Sequence, residues 1–266
     1  MNILPVVVLY NVDFRHTNAY RTLLCAYKGR ILLYENSPEP MNRVYMSPTV
    51  LYRHDATNGG VSAAYNYAAM MVKRMGQVDA LLLLDEDTSF ERDYIQTLQQ
   101  AMTDRPAVSL FVPQVVYRVN RPFSPIVRSA LCWHRGAKLA PGVYSLNRYL
   151  PVNSGACIRL AAFERVRGYN PDIRLDFADF DFFARLAAFT DQFCVVKSTA
   201  AQQFSNEQTD RERLLARFRF YIEGAHVARR NELISVMVWI EVFRHTMALS
   251  LRTFSWRFIS EWFRHF

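Results

Sequence analysis

Short apolar runs alternate with helical stretches through the first hundred residues of the chain, and this alternation limits the fold more than any other feature. The runs at 3–10 (ILPVVVLY), 30–34, 50–53 and 80–84 have little polar alternation. Helical spacing is found around 17–27, 61–75 and 94–102. Apolar strands separated by helices indicate an α/β fold, with a mostly parallel sheet covered by helices on both faces.

The fourth apolar run ends abruptly in three carboxylates, Asp85, Glu86 and Asp87. Ligands of parallel sheets bind beyond the carboxyl ends of the strands, which places this turn at the binding edge. Carboxylates so close together repel one another and need water, a cation or a basic partner. The turn is therefore a candidate site for Mg²⁺ or Mn²⁺ held against a diphosphate.

A second use of the same turn is nucleophilic catalysis. Asp85 could attack a phosphate with Asp87 as general acid, because DEDTS is similar to the DxDx(T/S) pattern of haloacid dehalogenase-like phosphatases. That family usually carries the motif on its first strand and needs a later lysine, whereas several strands precede it here and only Lys138 and Lys197 follow. An aspartate-nucleophile phosphohydrolase stays open as the alternative.

Four segments occur in a fixed order: VVVLYN, LLYENS, NGGVSAAYN and LLLLDEDTS. This order resembles that of family 2 glycosyltransferases of the GT-A fold, especially the bacterial rhamnosyltransferase-like branch. The resemblance continues through VNSGACIRLAAFERVRGYNP and LDFADFDFFARL and covers residues 3–210. It implies inverting transfer of a sugar from a UDP- or dTDP-sugar to a hydroxyl of a glycan or lipid-linked glycan, in bacterial surface polysaccharide synthesis.

The resemblance also implies a donor site at the strand ends. Tyr10 and Asn11 are expected to contact the base and ribose, and Glu35 stands where the family usually has an aspartate that accepts hydrogen bonds from them. The glycines after Asn58 would let helix N–H groups approach the diphosphate, with Asn58 as the helix cap. The expected donor-binding residues are Tyr10, Asn11, Glu35, Asn36, Asn58, Gly59, Gly60 and Asp85. Asn66, on the same helix, is expected to be structural.

In the metal site that the resemblance implies, Asp87 binds Mg²⁺ or Mn²⁺ together with Asp85, which also faces the ribose. Glu86 is expected to point to solvent. Many family members supply a histidine near the metal or diphosphate after the last core strand, but Gln202 or Gln203 stands near that place here. Because glutamine is a poor metal ligand, a non-catalytic, membrane-associated nucleotide-binding protein remains a third hypothesis.

A second carboxylate group lies in the aromatic segment LDFADFDFF. Inverting transfer needs one base to take the acceptor proton, and neighbouring phenylalanines could raise the pKa of a carboxylate into a useful range. The resemblance places the base at Asp179. It implies acceptor-side or supporting roles for Asp176, Asp181, Asn153 and Gly155.

The end of the chain has a different composition. Residues 211–266 contain ten arginines, five glutamates and no proline, which predicts a basic, aromatic-rich helical extension to a GT-A domain at 1–210. The whole chain has a formal net charge of +8, so anionic partners are expected. The extension could pack on its own domain and pair with a neighbouring subunit, or lie on an anionic membrane surface near a lipid-linked acceptor. Nucleic acid is the least favoured partner, because no recognised binding module accompanies the charge.

The remaining sequence features concern localisation. No signal peptide or membrane-spanning run is visible, and the four cysteines are far apart. These features predict a cytoplasmic protein with reduced thiols, with peripheral attachment to the inner face of the membrane as an addition.

Overall fold

The computed structural model describes residues 1–117, 121–128, 133–202 and 211–265. The strands are β1 (Ile3–Leu9), β2 (Ile31–Glu35), β3 (Val50–His54), β4 (Ala80–Asp85), β5 (Thr88–Phe90), β6 (Leu110–Tyr117), β7 (Arg121–Ser124), β8 (Ile126–Arg128), β9 (Trp133–Gly136), β10 (Gly142–Ser145), β11 (Tyr149–Leu150), β12 (Cys157–Arg159) and β13 (Gln192–Gln202). The helices are α1 (Asn18–Thr22), α2 (Gly60–Met75), α3 (Tyr94–Asp104), α4 (Leu160–Arg165), α5 (Ala178–Ala187), α6 (Arg211–Ala228), α7 (Ser235–Thr253) and α8 (Arg257–His265). The predicted α/β fold is confirmed.

The main sheet has a parallel half and a mixed half. Its path runs β10-β13-β6-β12-β4-β1-β2-β3, with β5 beside β13 and β7 beside β6. The pairs from β4 to β3 are parallel, as is β6 with β13. β12 lies between β4 and β6 and is antiparallel to both, and β10 is antiparallel to β13. A separate three-stranded sheet, β11-β8-β9, lies beside it.

The apolar strands form the middle layer of two cores. Successive side chains of a strand point to opposite faces, so β1 and β4 contribute to both. Val6 and Leu83 belong to the core that includes α2, α4 and α5, whereas Val7 and Leu84 belong to the core that includes α3. This burial on both faces is the physical reason why the strands lack polar alternation.

The region predicted as one helix over 17–27 contains only the five-residue α1. Two 3-10 helices flank it, at Phe14–His16 and Leu24–Ala26. Thr17 begins α1 by accepting a hydrogen bond from the Tyr20 N–H at 3.1 Å. The Asn18 N–H donates to the Glu86 carbonyl at 2.8 Å, so the start of α1 supports the acidic turn.

The helices of the tail, α6 to α8, join the same core as α2 and α5. Phe218, Ile222, Val238 and Phe258 are buried in that core. Gly224 allows a close approach, because a Cβ atom there would lie 2.9 Å from the Asp176 carbonyl oxygen. The tail thus packs directly against the segment that leads into α5.

Across the described ranges, no helix combines the length and apolar content needed to cross a membrane. Cys25, Cys157 and Cys194 are free thiols, in line with their wide spacing.

Candidate active site

Three parallel strands end at one edge of the sheet and bring several of the predicted donor residues together. Val8 of β1 lies in register with Tyr34 of β2 on one side and with Asp85 of β4 on the other. The segments 10–11, 36–37 and 86–87 therefore leave the sheet side by side. Crevices at the carboxyl edge of such sheets are the usual ligand sites of α/β folds.

The ends of β1 and β4 are joined by hydrogen bonds. Tyr10 is 49% exposed, and its N–H donates to the Glu86 carboxylate at 3.0 Å. Asn11 adopts a left-handed conformation with φ 53°, and its N–H donates to Ser37 Oγ at 2.9 Å. The expectation that Glu86 points to solvent is wrong, because its carboxylate accepts the hydrogen bond from the backbone N–H that follows β1. Burial and the neighbouring carboxylates raise the pKa of Glu86 to about 7.

Glu35 is fully buried, and its carboxylate accepts hydrogen bonds from other residues of the chain. It accepts hydrogen bonds from the Tyr52 hydroxyl at 2.6 Å, from the Met41 N–H at 3.1 Å and from both the backbone and side chain of Asn42. Burial acts to raise its pKa, but these donors outweigh it and hold the pKa below its usual range. In place of the direct donor contact that was expected, this geometry gives Glu35 the role of shaping the loop 36–42.

The N-terminus of α2 is occupied by protein acceptors. The Gly59 N–H donates to Asp55 Oδ2 at 3.1 Å, and the Gly60 N–H to Asn36 Oδ1 at 3.3 Å. Asn58 is left-handed with φ 52°, and the cap residue is Gly59, without a side-chain cap. The expectation of free N–H groups for a diphosphate, with Asn58 as cap, therefore differs from the structure. Asn36 is buried and acts here by fixing the start of the helix.

Gly60 is required by a close backbone approach. The Val61 N–H donates to the Arg174 carbonyl at 2.8 Å, and a Cβ atom on Gly60 would lie 1.9 Å from that carbonyl oxygen. Its φ of +75° is also one that side chains rarely adopt. This contact fixes the start of α2 against the segment that precedes α5.

The acidic turn holds two further carboxylates close together. Asp85 accepts a hydrogen bond from Ser154 Oγ, and burial raises its pKa. Burial and the charge of Asp85 raise the pKa of Asp87 to about 6. Asn18 Nδ2 donates to the Asp87 carbonyl at 2.9 Å and fixes the turn. Among the described residues, no arginine or lysine forms an ion pair with either carboxylate.

Gln202 lies beside this turn, because β13 pairs it with Thr88. Its side chain lowers the pKa of Asp87 through a hydrogen bond, and its buried Oε1 atom has no hydrogen-bond partner among the described residues. Gln203 lies outside the described residues. In the part of the chain described, no three His, Cys, Asp or Glu side chains form a metal cage. Two uncompensated carboxylates and an unpaired amide oxygen nevertheless suit Mg²⁺ or Mn²⁺, which take hard oxygen ligands and complete their coordination with water or phosphate.

Asp179 lies in the first turn of α5 and interacts electrostatically with Asp85 of the acidic turn. Burial raises its pKa to about 7, and the charge of Asp85 adds to the rise. The helix begins after Phe177, which is left-handed with φ 68° and packs against Tyr221 of α6 at 4.9 Å between ring centroids. A strained residue of this kind, held by surrounding packing, is common at functional sites.

Two tyrosines near these carboxylates were missed by the sequence analysis. The rings of Tyr65 and Tyr169 are 5.2 Å apart, and both residues are buried. Both hydroxyls interact electrostatically with Asp85 and Asp179. The buried Tyr65 hydroxyl finds no hydrogen-bond partner in the described part of the chain. Its only signal in the sequence was its place in NGGVSAAYN, five residues after Gly60.

The predicted acceptor-side residues Asn153 and Gly155 are part of the framework. Asn153 is buried, and its Oδ1 accepts from the Tyr169 hydroxyl at 2.5 Å. Gly155 has φ +81°; its N–H donates to the Leu83 carbonyl at 2.9 Å, and its carbonyl accepts from the Tyr94 hydroxyl. Asn66 Nδ2 donates to the Tyr169 carbonyl, and Asn66 Oδ1 accepts from the Tyr169 N–H. These hydrogen bonds are consistent with the structural role expected for Asn66.

Asp176 and Asp181 form ion pairs with arginines, whereas Asp179 forms none with the described residues. Asp176 pairs with Arg217 of α6. Asp181 is buried, accepts from Arg185 Nε at 2.9 Å and accepts from Asn231 Nδ2 at 3.0 Å. These contacts attach α5 to its surroundings, and the acceptor-side role of the two acids stays a prediction.

Asp181→Asn is expected to lower the free energy of unfolding by about 3 kcal/mol, because it leaves the guanidinium of Arg185 without a counter-charge in a mostly buried site. Asp176→Asn is the matched control: its ion pair is more exposed, so its loss should cost about 1 kcal/mol or less. Urea unfolding followed by circular dichroism measures both. Equal losses would contradict the structural role of Asp181.

The chain is similar to known proteins in its fold and not in its sequence. No protein-family model matches the chain, and no curated protein matches it in sequence. Among solved structures it is similar to GalNAc-T7 with UDP, GalNAc and Mn²⁺ (TM-score 0.57, 11% identity, 94% of this chain and 57% of that one). It is also similar to S. aureus TarS 1-349 in complex with UDP (0.54, 12%, 87% and 66%) and to a longer S. aureus TarS (0.57, 10%, 86% and 39%).

The present chain thus spans less than two thirds of the length of each of these structures. At 10–12% identity the likeness concerns the arrangement of the backbone. The chain has the GT-A glycosyltransferase fold, as its sequence motifs predict.

Proposed function

We propose that this chain is an inverting, metal-dependent glycosyltransferase. It would move a sugar from a UDP- or dTDP-sugar to a hydroxyl of a glycan or lipid-linked glycan. The observation that carries the proposal is the electrostatic interaction of Asp179, in the first turn of α5, with Asp85, at the end of β4 and in the same acidic turn as Asp87, within a GT-A fold. The sequence motifs favour the rhamnosyltransferase-like branch and a place in bacterial surface polysaccharide synthesis.

Asp179 supplies the base in this reaction. It takes the proton of the acceptor hydroxyl while the hydroxyl oxygen forms a bond to the anomeric carbon. The bond from that carbon to the diphosphate oxygen breaks, and its electron pair leaves with the diphosphate. A pKa of about 7 lets the carboxylate be ionised before the reaction and still accept a proton during it. Mg²⁺ or Mn²⁺ held by Asp85 and Asp87 would neutralise charge on the diphosphate.

The phosphohydrolase alternative has less support. An Asp85 nucleophile needs a nearby cation to balance its charge and that of the phosphate. Lys138 and Lys197 are both exposed, and neither pairs with the acidic turn. The Ser154 hydroxyl is the hydrogen-bond partner of Asp85 instead.

A panel of UDP- and dTDP-sugars tests the proposal. With Mn²⁺ present, one nucleotide sugar is expected to raise the unfolding temperature and to release nucleoside diphosphate. A ligand at about 100 times its Kd stabilises the native state by about 2.7 kcal/mol, which a thermal shift resolves. Asp87→Asn should lose the shift, whereas the exposed Asp172→Asn should keep it. A phosphoenzyme formed on Asp85 from a phosphate monoester would favour the phosphohydrolase, and nucleotide binding without turnover would favour a non-catalytic protein.

A further inference from the structure

Helix α7 is apolar on two sides. One stripe, with Val238, Val242 and Leu249, is buried in the core. A second stripe faces outward at helical spacing, and its members are 36–70% exposed: Val236, Trp239, Phe243, Met247 and Leu251. A helix that is apolar all round is normally covered on all sides. The outer stripe therefore lacks the cover that its composition predicts.

Helix α8 and the turn before it extend the outer stripe into a patch. Trp262 contacts both Trp239 and Phe243, with ring centroids 6.1 and 5.7 Å away, and Phe263 packs on Trp262 at 4.9 Å. Phe254 and Trp256, in the turn between α7 and α8, are 92% and 82% exposed. We call the exposed side chains of Trp239, Phe243, Phe254, Trp256 and Phe263 the aromatic patch. Exposed aromatic side chains gathered on two packed helices and the turn between them are more apolar surface than a protein usually leaves uncovered, and such surface marks an interaction site.

The charge around the aromatic patch indicates its partner. Arg252 adjoins Leu251, is exposed and forms no ion pair among the described residues. Arg244, Arg257 and Arg264 have side chains 52–69% exposed, and each also pairs with one glutamate of the tail. The tail as a whole holds ten arginines against five glutamates. A second copy of the chain would bring the same excess of positive charge to the patch, whereas an anionic surface would be attracted by it. Tryptophan and phenylalanine beside arginine are typical of segments that lie in the interface of a lipid bilayer.

We propose that the aromatic patch inserts into the interface of a membrane that contains anionic lipids, with the arginines of the tail at the headgroups. The helices lie on the bilayer, consistent with the absence of a helix able to cross it among the described residues. This inference depends on the tail alone and not on the transfer reaction. If the proposed function holds, a lipid-linked acceptor would be presented at the same surface.

Vesicle binding by the full chain tests this inference. The protein is expected to sediment with vesicles of equal parts phosphatidylcholine and phosphatidylglycerol, and much less with phosphatidylcholine alone. High salt should weaken the binding, because it screens the arginines. The double variant Phe254→Asn/Trp256→Gln should lower the partition coefficient by about tenfold or more, because two aromatic side chains no longer leave water. Asparagine suits position 254, whose φ is 50°.

Phe189→Gln is the matched control, since Phe189 is 50% exposed but lies outside the tail; it should bind vesicles as the wild type does. Circular dichroism and the unfolding temperature check that the double variant is folded. Equal vesicle binding by the wild type and the double variant would overturn the proposal. So would a wild-type dimer in solution that the double variant converts to a monomer, together with no vesicle binding by either, because the patch would then be a self-association surface.

Discussion

Asp179→Asn is expected to lower kcat by about 100-fold or more while the affinity for the nucleoside diphosphate stays unchanged. The amide keeps the shape of the carboxylate but cannot take the acceptor proton. Donor binding should survive, because the residues of the donor-side strand ends and of the acidic turn belong to other elements than α5 and are unchanged by the substitution. Single-turnover kinetics measure the loss, and calorimetry with UDP or dTDP measures the binding. Asp172→Asn, an exposed acid of the preceding loop, is the control.

The pH dependence of the wild-type enzyme should identify the same group. Burial raises the pKa of Asp179 to about 7, so the free enzyme holds its base protonated below that pH. We expect kcat/KM to rise as the pH passes through about 7 and to reach a plateau above it, and this inflection should be absent from the residual activity of Asp179→Asn. A flat profile in the wild type would contradict the assignment.

Stability provides a readout that is independent of catalysis. The pKa of Asp179 is raised on folding from 3.8 to about 7, so this residue reduces stability as the pH rises between these values. Asp179→Asn removes a partly desolvated charge and should stabilise the protein at pH 8 by about 1–3 kcal/mol. A base that lies elsewhere would be indicated if Asp179→Asn kept normal turnover. If Asp181→Asn were then inactive but still folded, the base would be Asp181.

Asp87→Asn is expected to weaken Mn²⁺-dependent binding of UDP or dTDP by about 100-fold or more. Substitution of a residue that only supports a metal ligand lowers the affinity for the metal by about 10- to 100-fold. Asp87 is placed to contact the metal itself, so the loss should be larger. Calorimetry of the nucleotide with Mn²⁺ and with EDTA measures the effect. Wild-type affinity that is equal in both conditions would contradict a metal role for the acidic turn. Asp104→Asn, on the distant end of α3, should behave as the wild type.

Proton release provides a second measurement of the same site. The pKa values of Glu86 and Asp87 are raised to about 7 and about 6, so both carboxyls carry protons in part of the population near pH 6. A metal ion needs the ionised form and displaces those protons, so its affinity should rise with pH from 5 to 8. At pH 6 the binding enthalpy should depend on the ionisation enthalpy of the buffer, and Asp87→Asn should reduce this dependence. Gln202→Ala is expected to weaken metal binding less than Asp87→Asn, because it removes a neutral oxygen.

The sequence alone predicted the strands β1 to β4, the helices α2 and α3 between and after them, and the edge that carries the acidic turn. Apolar runs such as 80–84 can be recognised from neighbouring residues alone. When helices separate such runs, the pattern indicates strands that are buried on both faces of a parallel sheet. The position of the carboxylates also follows, since parallel strands place their carboxyl ends at one edge. The basic, apolar character of the tail could be recognised from composition in the same way.

The roles of individual polar residues were decided by partners far away in the sequence. Glu35 is occupied by Tyr52 and the loop 36–42, and the first N–H groups of α2 meet Asp55, Asn36 and the Arg174 carbonyl. Composition and spacing alone do not distinguish Asp179 from Asp176 or Asp181, and only the family resemblance placed the base at Asp179.

Only the folded chain gives Asp176 and Asp181 their counter-charges on Arg217 and Arg185, and none of the described residues supplies one to Asp179, which interacts with Asp85. Local spacing determines secondary structure because it depends on neighbours along the chain. The charge state and availability of a side chain depend on what packs against it, and that was decided by the tertiary structure.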